Sequence, residues 1–413
     1  MSTSDAPERR TGVTRRAVLT AGGVAAVGAV VASTHGAGAS TDSASSIPFF
    51  GKHQGGIVTP AQGHLALGIF NVAASDRQEL KRMLADWGRA AQRLTVGLPL
   101  VETYDGSYPP SDTGEALGLG AANLTLTFGY GPSLFNDRFG LSSRRPKVLV
   151  DLPAFDGDEL NPAFTAGDLC VQACADDPQV AFHAIRSLAR LGLGTVELQS
   201  LQLGSGRTSA TSSEQRSARN LLGFKDGTNN LRGGDSALLK RWLWVGARDD
   251  QQWMTGGTYL VARRIQMNLS TWSSTPLKVQ ESVIGRKRSS GAPLTGEREH
   301  DKANFEALDP HGFPVIPLGA HIRVAAPETN GGVHLLRRGY NFIDGVDERT
   351  GNLNAGLLFL CFQRDPVKQF TALQGDLARS DNLSQYVTHV GSGVFACPPG
   401  LGSNDELGAS LFD

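Results

Sequence analysis

The sequence predicts an α+β fold made of two ferredoxin-like domains packed together, as in dimeric α+β barrels. Three observations carry this prediction. Beyond residue 48 the chain runs strand, helix, strand, strand, helix, strand, which is the ferredoxin-like order. A second stretch repeats the theme after a break that is rich in Ser, Thr and Gly. Without its leader the chain has about 374 residues, enough for two domains of ordinary size.

Hydrophobic spacing and helix-capping residues predict the elements of the first half. Asp76 is a plausible N-cap for a helix over 77–94, in which apolar residues recur at helical spacing. Asp177-Pro178 opens a second helix that ends at Leu191. Continuous or alternating apolar runs predict strands over 63–72, 124–130 and 169–175.

The second half begins after a predicted break over 204–219. Its long segment 285–317 combines Gly, Pro and mixed charge with little periodicity, and a loop of that length inside a domain is usually functional or mobile. The predicted elements are a strand over 257–265, a helical stretch that ends near Ile284, a strand over 357–362 and a closing helix over 366–377. The two domains are therefore predicted over 49–205 and 220–413.

The first 39 residues read as an export signal, with a linker over 40–48. Thr14-Arg15-Arg16-Ala17-Val18-Leu19 is a twin-arginine pattern, and Ala37-Gly38-Ala39 offers a cleavage site after an apolar stretch. We therefore expect recognition by the twin-arginine export machinery and a secreted or extracytoplasmic protein. A plain secretory peptide or a single membrane anchor is the alternative. The apolar stretch is short and glycine-rich, whereas a stable span prefers roughly 20 strongly apolar residues.

Three side chains of the second half form a candidate catalytic group. Asp226 lies in Gly223-Phe224-Lys225-Asp226-Gly227-Thr228-Asn229-Asn230, where the glycines permit a tight turn that directs a carboxylate into a pocket. His321, expected on or beside a strand, can ligate haem iron. Arg337 can stabilise negative charge as a peroxide O–O bond breaks. Taken singly, these residues are more often a turn aspartate, a structural histidine and a surface arginine.

Composition and the remaining candidates narrow the function. The near-neutral net charge of −1 argues against nucleic acid as the main partner. The absence of C-x-x-C-H excludes covalent c-type haem attachment. Buried free thiols are the favoured interpretation of Cys170, Cys174, Cys361 and Cys397. Seven other histidines beyond the leader compete with His321 as ligand: His53, His64, His183, His300, His311, His334 and His389.

With these residues the chain resembles the dye-decolourising peroxidases, and specifically their twin-arginine-exported bacterial branch. The resemblance runs from about Phe49 to Pro399, and several blocks in the right order make it specific. The blocks are 50–57 (Phe-Gly-Lys-His-Gln-Gly-Gly-Ile), the Asp226 segment 223–229, 280–287 (Gln-Glu-Ser-Val-Ile-Gly-Arg-Lys), 290–294, 320–323 and 336–340.

The resemblance implies one haem b (iron protoporphyrin IX) per chain, held in the C-terminal half with His321 as the iron ligand. Asp226 and Arg337 would form the distal pair and carry out general acid–base catalysis and charge stabilisation. Gly227, Thr228 and Asn229 would line the haem, Arg286 would face a propionate, and Phe359 would form an apolar wall.

The implied activity is that of a peroxidase. It would use hydrogen peroxide to oxidise dyes, phenolic or other aromatic compounds, or metal ions, through a ferryl intermediate. Because aspartate ordinarily titrates near pH 4, acidic conditions are expected to favour activity. The alternatives are a deferrochelatase-like, haem-handling protein in iron acquisition, a non-enzymatic binding module and a copper-linked role.

Two details of the site depart from the family pattern or remain open. Gly339 stands where some bacterial members carry Asn, and Lys225 either tunes the charge of Asp226 or faces solvent, the second being favoured. Bulky reductants would need surface relays, although each candidate is more often a core aromatic. The candidates are Trp242, Trp244, Trp253, Trp272, Tyr259 and Tyr340.

Overall fold

The computed structural model describes residues 45–101, 110, 112–348 and 350–413. The predicted leader and most of the predicted linker lie outside these residues, so export remains a prediction. Within the described residues, no helix combines the length and apolar character that a membrane crossing requires.

The first half has the predicted order of elements, and the predicted caps hold both of its helices. Asp76 accepts hydrogen bonds from the backbone N–H groups of Gln78 and Glu79, and Asp177 caps the second helix in the same way. The elements are β1 His64–Val72, α1 Arg77–Leu94, β2 Thr125–Tyr130, β3 Leu169–Ala175, α2 Pro178–Leu191 and β4 Val196–Arg207. Because β4 runs to Arg207, the predicted break begins four residues too early.

The second half keeps the same strand plan but carries more and shorter helices. The elements are α3 Ser236–Trp242, β5 Thr258–Met267, α4 Leu269–Ser274, α5 Leu277–Ile284, α6 His321–Val324, β6 Leu336–Arg337, β7 Tyr340–Val346, β8 Leu353–Gln363, α7 Ala372–Ser380, β9 Val387–Cys397 and α8 Ala409–Phe412. The predicted closing helix is divided into a π-helical turn, Val367–Thr371, and α7.

The expectation that His321 lies on or beside a strand is wrong. His321 is the first residue of α6, a single helical turn. The turn forms because the carbonyl of Ala320 accepts hydrogen bonds from the N–H groups of Arg323 and Val324. Residues 321–324 are too few for alternation to distinguish a strand from a helical turn.

The strands form one antiparallel sheet that closes on itself. Its order is β5-β9-β2-β3-β1-β4-β7-β8-β6, and the pairing of β5 with β8 closes an eight-stranded barrel to which β6 is added. The first half contributes β4-β1-β3-β2 and the second contributes β7-β8-β5-β9, which is the same arrangement twice. The predicted pair of ferredoxin-like domains in a barrel is thereby confirmed.

Alternate residues of both halves fill the barrel with apolar side chains. This cluster contains three of the four cysteines, and all four are buried free thiols, as predicted. Cys170 and Cys174 lie four residues apart on β3, with side chains on one face. The opposite face of the first-half sheet packs against α1 and α2, including Trp87 and Ile185.

The block at 50–57 supports the junction between the halves. The halves meet where β2 pairs with β9 and β4 with β7, and β2 and β9 share only the Tyr130–Ala396 pair. Next to it, the Gln54 side chain donates to the carbonyls of Phe128 and Pro398, both at 3.0 Å, and accepts from the Phe128 N–H at 2.8 Å. Gln54 therefore replaces missing backbone pairing at this seam.

Candidate active site

A cavity of about 500 Å³ lies against the second half of the sheet. Its floor consists of apolar residues of β5, β8 and β9, and its walls come from helices α5 to α7, the Asp226 segment and the segment 285–320. The volume lies within the range of small-molecule and cofactor sites. All of the described residues that line it fall between Thr208 and His389.

Asp226 reaches this cavity because its turn is held on both sides. Phe224 is buried and its ring meets that of Trp272 at a centroid distance of 5.9 Å. Gly227 has φ +74°, and a Cβ there would lie 2.9 Å from the Cα of Ser209, so glycine is required. The N–H of Gly227 donates to Oδ1 of Asp226 at 2.7 Å.

Arg337, at the end of β6, is hydrogen-bonded to Asp226. Its Nη1 donates to Asp226 Oδ1 at 3.1 Å, and its Nη2 donates to the carbonyl of Asn229 at 3.3 Å. Asn230 holds the backbone of Arg337 from both sides, accepting from its N–H at 2.8 Å and donating to its carbonyl at 2.9 Å. Asn230 lies 107 residues before Arg337 in the sequence, so spacing alone does not reveal this contact.

His321 faces the same cavity and is oriented by a buried carboxylate. Its Nδ1 lies 2.6 Å from Oδ2 of Asp381, so Nδ1 carries the proton and donates, and Nε2 is left to bind a metal. Burial lowers the pKa of His321, but the charge and hydrogen bond of Asp381 outweigh it and the net pKa is raised. Asp226 also raises this pKa and Arg337 lowers it, which places the predicted group within electrostatic reach of His321. Asp381 lies 60 residues further along the chain, and no motif announces it.

Arg286 adds a second guanidinium to the cavity wall. Its Nη1 donates to the carbonyls of Gly291 and Glu299 at 2.7 and 2.9 Å. Burial lowers the pKa of Arg286; Glu299 partly offsets this, and Arg337 adds to the lowering. Among the described residues, Nε and Nη2 of Arg286 have no hydrogen-bond partner.

The other residues predicted to line the haem also lie on the wall of this cavity, whereas the expectation for Lys225 has to be corrected. Gly227, Thr228, Asn229 and Phe359 are all on the wall. The favoured expectation that Lys225 faces solvent is wrong, because its Nζ is paired with the partly buried carboxylate of Glu299. Gly339 is closely packed: a Cβ there would lie 2.8 Å from Oγ1 of Thr208, so a larger residue would require Thr208 to move.

The candidate relay aromatics differ in their burial and in their distance from the cavity. His334 lies on the cavity wall, and the half-buried Trp242 has its ring 6.0 Å from the His334 ring. Trp244 instead stacks on His53 at 3.6 Å. Trp253, Trp272, Tyr259 and Tyr340 are buried core residues.

The residues of the cavity suit a haem. Ile265, Met267, Leu357 and Phe359 provide apolar surface for a flat macrocycle, and His321 offers a free Nε2. Among the residues that the structure describes, no three His, Cys, Asp or Glu side chains are grouped so as to hold a metal ion by themselves. The arrangement fits iron that arrives with its own porphyrin ligands and takes one imidazole from the protein.

The chain is similar to known proteins over both of its halves. Residues 54–205 match the family model "Dyp-type peroxidase, N-terminal", and residues 217–402 match "Dyp-type peroxidase, C-terminal". Proteins named deferrochelatase from Shigella boydii and Escherichia coli K12 are 38% identical over 372 residues, covering 88% of this chain and 86% of each relative.

Two solved structures are similar to this chain over 90% of its length. The oxyferrous complex of DtpA from Streptomyces lividans has a TM-score of 0.83 at 39% identity, covering 90% of this chain and 98% of that one. The DyP-type peroxidase from Cellulomonas bogoriensis has a TM-score of 0.80 at 40% identity, covering 90% and 99%.

Proposed function

We propose, from the premise that this chain belongs to the Dyp-type peroxidase family, that it holds haem b between His321 and the Asp226–Arg337 pair. Family membership makes it a haem peroxidase, an oxidoreductase that acts on hydrogen peroxide. One observation carries the assignment of residues: His321, fixed by Asp381, and the hydrogen-bonded Asp226 and Arg337 line one cavity.

Each residue of the site has a separate role in the proposed reaction. Haem, when bound, supplies an iron centre that accepts oxidising equivalents from peroxide and passes them singly to reductants. Asp226 Oδ2 is free of Arg337, so it can take the proton from the inner peroxide oxygen and return it to the outer one, which leaves as water. Arg337 stabilises the negative charge that builds on the leaving oxygen. His321 remains oriented throughout because Asp381 holds its Nδ1.

The electron donors we propose are dyes, phenolic or other aromatic compounds, or metal ions. Bulky dyes cannot easily enter a buried pocket, so their oxidation requires a route for electrons through the protein. Trp242 is the favoured surface relay, because it is half-buried and adjacent to His334 on the cavity wall.

Deferrochelatase-like haem handling is a second candidate, since the curated relatives at 38% identity carry that name. It predicts that the protein releases iron from bound haem and leaves the porphyrin intact. The two activities are separated by measuring free iron and metal-free porphyrin under reducing conditions, alongside peroxide-dependent oxidation of a phenol.

We also propose export by the twin-arginine machinery to an extracytoplasmic or secreted location, which rests on the pattern at residues 14–19 and the cleavage site at 37–39. Replacing Arg15 and Arg16 by lysine should leave the chain unprocessed inside the cell, and the test is an immunoblot of fractionated cells. Processing at an unchanged rate would contradict the proposal.

The haem proposal is tested by absorption spectra of purified protein before and after one equivalent of peroxide. Wild type should show a Soret band that shifts with peroxide, and His321→Ala should lose or weaken it. His311→Ala is the matched control, because His311 is exposed on the segment 285–320. Asp226→Asn and Arg337→Leu should keep the band but slow its shift. A His321→Ala band identical to wild type would contradict the assignment of the ligand.

A further inference from the structure

The Asp226 turn is anchored by a single carboxylate from the long segment 285–320. Glu299 Oε2 is paired with Nζ of Lys225, and Glu299 Oε1 accepts from the hydroxyl of Thr228 at 3.1 Å. These two partners stand on either side of Asp226 in the sequence. Glu299 thereby connects both sides of the turn to the wall of the cavity.

The contacts of Glu299 favour the ionised form of its carboxylate. Its side chain is 13% exposed, and burial works to raise its pKa. The charge and hydrogen bond of Lys225 and the hydrogen bond from Thr228 oppose this effect of burial, and the pKa of Glu299 lies below its ordinary value. A charged Glu299 beside Lys225 cancels the charge that Lys225 would otherwise present to the neighbouring Asp226.

We propose that Glu299 is a positioning residue of this peroxidase: it anchors the Asp226 turn and neutralises Lys225, so that Arg337 is the cation that acts on Asp226. The inference rests on the proposed role of Asp226 and extends it to a residue that does not touch peroxide. It also gives the long segment a specific task at the site.

The electrostatic surroundings of Asp226 determine what a substitution should do. Opposite charges a few ångströms from a carboxyl favour its ionised form, and like charges oppose it. The charged and titratable groups that face Asp226 or line the cavity with it are Lys225 on its own turn, Arg337 on β6, His321 on α6, Arg286, Glu299, His300, Asp301 and Lys302 on the segment 285–320, and Glu328, His334, Asp381 and His389.

The test measures ionisation of Asp226 in the haem-loaded protein by infrared difference titration, with Asp226→Asn subtracted to isolate this carboxyl. In Glu299→Gln the charge of Lys225 is unmasked, and the titration midpoint should fall. In Lys225→Met the charge of Glu299 is unmasked, and the midpoint should rise. The double variant should return close to wild type, because both charges are then absent.

Glu297→Gln is the matched control, because Glu297 lies on the same segment, is 88% exposed and pairs with Lys287 instead. Equal midpoints in Glu299→Gln, Lys225→Met and wild type would overturn the inference, as would a shift in Glu297→Gln as large as that in Glu299→Gln. The opposite shift expected in Lys225→Met keeps the test decisive if Glu299→Gln does not fold.

The proposed function is separately tested in the same set of variants. If Asp226→Asn keeps full peroxidase turnover, the catalytic role of Asp226 is wrong, whatever the titration shows. If Asp226→Asn loses turnover while the midpoints do not move, only the role of Glu299 is wrong.

Discussion

Asp381→Asn should weaken haem retention by removing the carboxylate that orients His321. Asp381 Oδ1 accepts from the N–H of Leu383 at 2.9 Å, so an asparagine oxygen is held there and its NH₂ group turns towards His321. Two donors then face each other, and the neutral imidazole must move its proton from Nδ1 to Nε2, the atom that would bind iron.

The size of the effect follows from the hydrogen bond that is lost. At 2.6 Å, between a buried carboxylate and an imidazole N–H, it is charge-assisted and contributes about 1.5–3 kcal/mol. A loss of this size corresponds to a Kd for haem about 10- to 150-fold higher. Most of it should appear as faster dissociation.

The assay is transfer of haem to an excess of apomyoglobin, followed at the Soret band by stopped-flow or manual mixing. Asp376→Asn serves as control, because Asp376 lies on α7, is half exposed and pairs with Arg379. Dissociation from Asp381→Asn within twofold of wild type would refute the reasoning. So would an equal acceleration in the control.

Three further predictions concern electron transfer, acid stability and the barrel. Trp242→Phe should lower turnover of a bulky anthraquinone dye about fivefold but leave a small phenol unaffected, with Trp244→Phe as control, by steady-state kinetics. Burial first, and then the charge of a neighbouring arginine, lower the pKa of His389 to about 3. Only the unfolded chain then takes up that proton below pH 6.5, so stability falls as pH falls; His389→Gln should remove about 2 kcal/mol of the loss between pH 6.5 and 5, by urea unfolding. Gln54→Ala removes the hydrogen-bond partner of three backbone groups, the N–H and C=O of Phe128 and the C=O of Pro398. It should therefore destabilise the protein by about 3 kcal/mol or more in the same assay.

Each of these predictions has a result that would contradict it. Equal loss of dye turnover in Trp242→Phe and Trp244→Phe would show that neither is a specific relay. Parallel stability curves for wild type and His389→Gln would place the acid sensitivity elsewhere. A urea midpoint of Gln54→Ala equal to that of wild type, at an unchanged slope, would mean that water replaces the lost hydrogen bonds.

The sequence predicted the fold because its signals are local. Hydrophobic spacing and the capping residues Asp76 and Asp177 depend only on neighbours in the chain, and both helices begin where those residues place them. Short elements could not be predicted in this way. α6 has four residues and β6 has two, which is too few for a helical or strand periodicity to be recognised.

The candidate site shows the same division between local and distant contacts. Asp226, His321 and Arg337 stand in blocks that the family resemblance marks, and the structure places all three on one cavity. Asp381 and Glu299, which hold these residues, lie 60 to 74 residues from the partners they bind. Only the folded barrel brings such partners together, so the contacts of Asp381 and Glu299 could not be predicted from sequence spacing.

Among the described residues, those that line the cavity all belong to the part of the chain from Thr208 onward, and this has a consequence for how the chain can change. Both halves repeat one strand plan, but in the first half α1 and α2 press directly on the sheet around Trp87. In the second half, short helices and the segment 285–320 leave that same face open as a container. Changes in these short helices and in the segment 285–320 can therefore reshape the cavity without altering α1, α2 or the part of the sheet that they cover.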